Sequence, residues 1–107
     1  RYEIAADVEE EVSITETGDT ELERDTSYKL SMYDEPIYVQ VKSLDKIGWG
    51  EEMDIIWVNK ADKEEIIGYI EYGVNFTLCI DDNKKAIIKV LRMEDGPNDE
   101  PEVFTIH

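Results

Sequence analysis

Side chains able to do proton or nucleophilic chemistry are scarce here except for one kind. The 107 residues include one cysteine, Cys79, one histidine, His107, and 27 carboxylates. A Ser-His-Asp or Cys-His arrangement needs a histidine that accepts a proton near neutral pH. His107 is the last residue, and chain ends are poorly ordered unless tied down, so triad catalysis is excluded. Neither GxxxxGK[ST] nor GxGxxG occurs, which removes the usual phosphate cradles. A pair of carboxylates can hydrolyse a glycoside as acid and base or nucleophile. Abundance is not pairing, however, and a small domain with short loops lacks the wide cleft such a reaction needs. The chain is therefore expected to be non-catalytic.

Oxygen-rich turns raise a different chemistry. Calcium takes six to eight oxygen ligands, and Asp95, Asn98, Asp99 and Glu100 surround a Gly-Pro turn that could supply some of them. Asp81, Asp82 and Asn83 form a second oxygen-rich corner. Neither matches the D-x-[DN]-x-[DN]-G-x5-E loop, so ordinary turn chemistry is the expectation and calcium a weak candidate; no other cofactor is expected. One cysteine also rules out an internal disulfide or a CxxC metal pair, leaving stability to apolar packing.

Contact chemistry has better material. Trp49 sits in Ile47-Gly48-Trp49-Gly50, where flanking glycines favour a loop or bulge that presents the indole, and the same glycines would equally let it fold back over the core. Tyr38 shares strand parity with Gln40 and Lys42, away from Ile37, Val39 and Val41, which predicts a half-exposed tyrosine row; Tyr33 stands nearby. Trp57 is expected in the core. The carboxylates Glu51, Glu52 and Asp54 form a second candidate contact cluster, suited to a basic partner.

Charge is unevenly spread. The chain carries 27 acidic against 11 basic residues, a formal net charge of -16. Residues 1–25 hold ten acidic and two basic side chains, and residues 94–107 hold five acidic and none basic, whereas 76–93 reverse the balance with two acidic and four basic. Affinity for nucleic acid comes mostly from Lys and Arg neutralising phosphates, and anionic lipid attracts basic segments, so direct binding to either is not expected. The longest apolar stretches, such as Ile55-Ile56-Trp57-Val58, fall far short of the ~18 residues that read as a spanning helix. The opening RYEIAADVEE has neither the basic nor the apolar region of a signal peptide, and reads as the start of a processed chain or an excised domain.

The elements that must position these residues follow a period of two. Tyr28 to Met32 alternates and ends at Asp34-Glu35-Pro36; Ile37 to Lys42 alternates again, predicting a hairpin. Val74, Phe76, Leu78 and Ile80 alternate before Asp81-Asp82-Asn83 turns the chain toward Ala86 to Met93, its expected partner. Met53 to Val58, apolar on both faces, reads as a central strand. Ile66 to Tyr72 follows, with 59–65 as the connecting loop, and a helix over 62–70 is the weaker alternative because Gly68 and Gly73 interrupt it. Glu11 to Thr15 and Val103 to Ile106 alternate more weakly. Seven to eight short strands predict an all-β antiparallel sandwich of Greek-key or jelly-roll type, with a barrel as the alternative. One domain over 1–107 is expected at this length, with acidic terminal segments at 1–11 and 94–102.

Two functions suit such a molecule. The first is a non-catalytic interaction domain of a surface or secreted protein, binding a protein or glycan through Trp49, Tyr38 and Tyr33; it favours an extracellular or cell-surface setting over the cytoplasm. The second is an acidic inhibitor or immunity-type protein that blocks a basic nucleic-acid enzyme by charge mimicry, steered by clusters such as Glu9-Glu10-Glu11 and Glu51-Glu52-Asp54. Oligomeric state is left open, since an edge strand could pair with a second copy.

Overall fold

A computed structural model describes residues 10–46, 51–71, 73–92 and 100–106. Nine strands are seen among them: β1 (Glu10–Ile14), β2 (Gly18–Glu21), β3 (Thr26–Leu30), β4 (Ile37–Lys46), β5 (Glu51–Lys60), β6 (Lys63–Ile70), β7 (Gly73–Ile80), β8 (Ala86–Arg92) and β9 (Glu102–Thr105). They form two packed sheets, one of five strands in the order β1-β3-β4-β5-β6 and one of four in the order β2-β7-β8-β9. The protein is an all-β sandwich, and neither sheet closes into a barrel. The described residues contain no helix, and so none long and apolar enough to cross a membrane.

Connectivity is mostly between sequence neighbours. Strands β3 to β6 form one meander and β7 to β9 another, while β1 and β2 sit at the edges of separate sheets. The pairing of β1 with β3 is parallel, the exception among otherwise antiparallel ladders. A parallel pair needs a crossover between its strands, and β2, lying in the opposite sheet, supplies that detour.

Apolar alternation accounts for the core. Leu30, Val39, Val41, Ile56, Leu78, Ile88 and Val90 are wholly buried between the sheets, each such side chain contributing about 1.5 to 3 kcal/mol relative to exposure. The alternation fails at two bulges. A register shift between Gly73 and Asn75 turns Val74 outward, leaving it 51% exposed rather than in line with Phe76, Leu78 and Ile80. Another, between Ile56 and Trp57 on β5, admits Ile67 as an extra residue on β6 and sends it to pack on the core.

The connection between β5 and β6 is much tighter than the loop expected at 59–65. Both strands run to a two-residue turn at Ala61-Asp62, with φ of 52° and 61°. Positive φ at both central residues gives the hairpin turn whose twist matches its strands. The usual glycine or asparagine is missing, so the sequence carries no mark of the turn. At the far side of the sandwich β6 and β9 approach each other, and the ring of Phe104 fills the space beside Gly68: a Cβ there would stand 2.9 Å from Cε1 of the ring.

Candidate functional site

The residues expected to make contacts do not gather in one place. Tyr38 lies half-buried on the outer face of the five-stranded sheet, as its parity predicts. Tyr33 lies elsewhere, in the β3–β4 connection, where it packs on the core and donates its hydroxyl to the Lys84 carbonyl at 2.7 Å. Burial raises the Tyr33 pKa above the ordinary phenol value, and Asp81 adds to the shift. Glu51 and Glu52 open β5 opposite Lys46 and Asp45, with their side chains outside the described residues. Trp49, His107, Asp95, Asn98 and Asp99 also lie outside them, and Glu100 is exposed.

Asp54 has a structural role in place of the surface contact expected of it. It is 8% exposed and accepts a bidentate pair from Arg24, Nε to Oδ1 at 3.0 Å and Nη2 to Oδ2 at 2.8 Å, with Ser43 Oγ donating to Oδ1 at 3.2 Å. Asp81 is similarly engaged: its Oδ1 accepts the N–H groups of Asn83 at 2.9 Å and Lys85 at 2.8 Å, shaping the β7–β8 turn. Among the described residues, no three His, Cys, Asp or Glu side chains are grouped to hold a metal ion.

What the structure does assemble is an aromatic line on the outer face of the five-stranded sheet. Ile56 and Val58 point into the core, so Trp57 points out, half-buried rather than in the core as expected. It stands opposite Gln40 on β4 and Ile66 on β6. Tyr38 lies two residues along β4 from Gln40, and Tyr69 pairs with Ile55, two residues along β5 from Trp57. Diagonal neighbours of this kind are about 7 to 8 Å apart, so Tyr38, Trp57 and Tyr69 run obliquely across three strands. Ile55, 1% exposed although it faces outward, forms a floor beneath one end.

Polar groups border this line. Asn59, half-buried, stands opposite Tyr38, and Gln40, opposite Trp57, is buried beneath the line. The Lys42 ammonium lies 5.7 Å from the Trp57 ring centroid, a cation–π distance. Burial pulls the Lys42 pKa below the ordinary lysine value, with Asp25 and Glu64 acting the other way. At the Tyr38 end, a groove of about 400 Å³ continues between Tyr38, Asn59 and the acidic side chains of Glu35 and Asp62. Strand parity marks Tyr38 as outward-facing; for Trp57 the apolar run 55–58 hides the signal.

Cys79 occupies the outer face of the four-stranded sheet, directly opposite Asp19 on β2. Its thiol pKa is pushed up chiefly by burial and further by the Asp19 carboxylate, with Lys89 opposing. Since the thiolate is the nucleophile, alkylation by iodoacetamide at pH 8 is expected to run slower than in the urea-unfolded chain. Asp19→Asn removes a negative charge beside the thiolate and should lower the pH at which half-maximal reactivity is reached. An unchanged pH profile in that variant would contradict this environment.

No protein-family model, curated protein or solved structure matches this chain.

Proposed function

We propose that this protein is a non-catalytic interaction domain that binds a neutral glycan chain across the outer face of its five-stranded sheet. The observation that supports the reading is the oblique line of Tyr38, Trp57 and Tyr69, with the half-buried Asn59 beside it. An aromatic ring offers a broad apolar face of fixed orientation, on which the C–H face of a sugar can stack, while a neighbouring amide has donors and acceptor for the hydroxyls at the sugar's rim. Three rings in a row suit an extended polymer better than a single sugar.

Charge narrows the ligand further. Glu64 borders the face, Glu35 and Asp62 flank the groove, and the whole chain carries -16, so a sulfated or uronic acid polymer would meet repulsion. With the Asp54 carboxylate tied to Arg24, the charge-mimicry alternative also loses one of its proposed contact groups. The surface or secreted setting favoured from the sequence suits a glycan-binding module.

The test is titration of the protein with neutral hexasaccharides, cello-, xylo-, manno- and malto-, followed by tryptophan fluorescence in wild type and in Trp57→Ala. Saturable binding to at least one, weakened at least tenfold by Trp57→Ala and less by Tyr38→Ala or Tyr69→Ala, is the expected result. Affinity should hardly change between about 0.05 and 0.5 M salt, because little charge screening is involved. No saturation with any of the four overturns the glycan reading, and binding indifferent to Trp57→Ala overturns its assignment to this face.

A further inference from the structure

Another concave site lies at the end of the sandwich where the β3–β4 connection, the end of β5 and the β7–β8 turn meet. It is a cavity of about 490 Å³. Three lysines line it, Lys60 from the end of β5 and Lys84 and Lys85 from the β7–β8 turn, with Tyr33 as one wall. Apolar floor comes from Ile37, Ala86 and Ile106, where Ile106 N–H bonds to the Ala86 carbonyl at 3.0 Å.

These lysines are conspicuous for what they do not do. The chain has more than two carboxylates for every basic side chain, and Asp34 and Glu35 line the same cavity. Yet the ion pairs among the described residues are Arg24 with Asp54 and Arg92 with Glu102; none involves Lys60, Lys84 or Lys85. Solubility requires no extra cations in a protein already so highly charged. Lys60 also stands directly opposite Lys63 in the β5–β6 ladder, and like charges so placed repel.

The backbone adds a second, independent indication. Lys84, which lines the cavity, adopts a left-handed conformation with φ of 61°. Non-glycine residues in that region are strained and cluster at functional sites. It belongs to the β7–β8 turn, which also carries Lys85. The β7–β8 turn is held in this shape by Asp81, through its bonds to the Asn83 and Lys85 N–H groups, and by Tyr33, whose hydroxyl reaches across to the Lys84 carbonyl.

We propose that this cavity binds a compact oxyanion, the phosphate or carboxylate head of a small molecule whose apolar body rests against Ile37, Ala86 and Ile106. An ammonium is a point charge with three donors that suits either head. The Tyr33 proton is committed to Lys84, so the tyrosine contributes its ring and the lysines contribute the charge. Asp34 and Glu35 at the cavity limit the ligand to one anionic head, because a polyanion would be forced against them. The cavity adjoins the groove at the Tyr38 end of the aromatic face and shares Glu35 with it, but neither reading depends on the other.

Phenyl phosphate and benzoate, titrated at constant ionic strength, are the two probes, and amide NMR shifts the readout. Expected is a saturable shift of the amides of Tyr33, Ile37, Lys84, Lys85 and Ile106 with a Kd near 1 mM or tighter for at least one probe; which probe binds distinguishes phosphate from carboxylate. Lys84→Gln/Lys85→Gln should weaken it at least tenfold, and Lys60→Gln to a lesser degree. Lys29→Gln/Lys89→Gln changes net charge equally on the outer sheet faces and should leave affinity within twofold. Absence of saturation with both probes, or equal loss in the two paired variants, overturns the proposal.

Discussion

Arg24→Met is expected to destabilise the protein by about 2 to 3 kcal/mol, making it one of the most damaging single substitutions away from the apolar core. Removing one partner of a buried ion pair costs roughly 3 to 5 kcal/mol because the other charge is left uncompensated. Discounting is needed here, since the Arg24 side chain is 41% exposed while that of Asp54 is 11% exposed, and exposed charges gain little. What remains is large because one guanidinium serves several partners. Nη2 also donates to the Gly73 carbonyl at 2.7 Å, and the guanidinium carbon lies 5.3 Å from the Phe76 ring centroid. Arg24 thereby joins the connection before β3 to β5 of one sheet and β7 of the other.

Urea denaturation of the four-member cycle formed by wild type, Arg24→Met, Asp54→Ala and the double variant measures this directly. The melting temperature of Arg24→Met should fall by roughly 10 to 20 °C, given about 4 to 8 °C per kcal/mol for a domain near this size. The double variant should be less destabilised than the two singles added together, by about 1 kcal/mol or more, as expected for groups in one network. A loss under about 0.5 kcal/mol for Arg24→Met, the ordinary range for surface substitutions, would mean that the pair contributes nothing to stability.

This clamp also shows where the sequence stopped being legible. Alternation revealed β3, β4, most of β7 and β8, because each has one buried face and a side-chain period of two. It missed β2, whose Gly18-Asp19-Thr20-Glu21 has no apolar residue and is held by its ladder to β7. It also misplaced Val74 and the residues around Ile67, because a bulge changes parity and leaves no compositional mark. Asp54 read as part of an acidic surface cluster because its partner lies 30 positions away, in a segment without periodicity. The aromatic line combines both effects: parity found Tyr38, but only the register across β4, β5 and β6 aligns it with Trp57 and Tyr69. The lysine cavity was foreshadowed by the charge reversal in residues 76–93, although Lys60 joins it through the fold alone.

The second large effect is expected at Gly73, the residue whose carbonyl Arg24 holds. A Cβ there would lie 2.6 Å from Phe76 Cζ and 2.9 Å from Ile70 Cγ2, distances that force something to move. Neither neighbour can give way easily: Phe76 is 2% exposed and Ile70 is wholly buried, and the Phe76 ring lies beneath Arg24. Forcing extra atoms into a close-packed core costs about 1 to 3 kcal/mol, and Gly73→Ala is placed near the upper end because it disturbs the Arg24 contacts as well. Gly18→Ala is the informative control. Its Cβ would meet nothing within 4 Å, but φ is +127°, so that substitution bears backbone strain alone and should cost about 1 kcal/mol. The steric account makes a further demand on Gly73→Ala: shortening the ring in Gly73→Ala/Phe76→Leu should recover part of the loss, giving a coupling of about 0.5 to 2 kcal/mol in a denaturant cycle. Strict additivity of those two substitutions would place the cost in the backbone, and the contact between β7's first residue and the Phe76 ring would then not be what requires glycine.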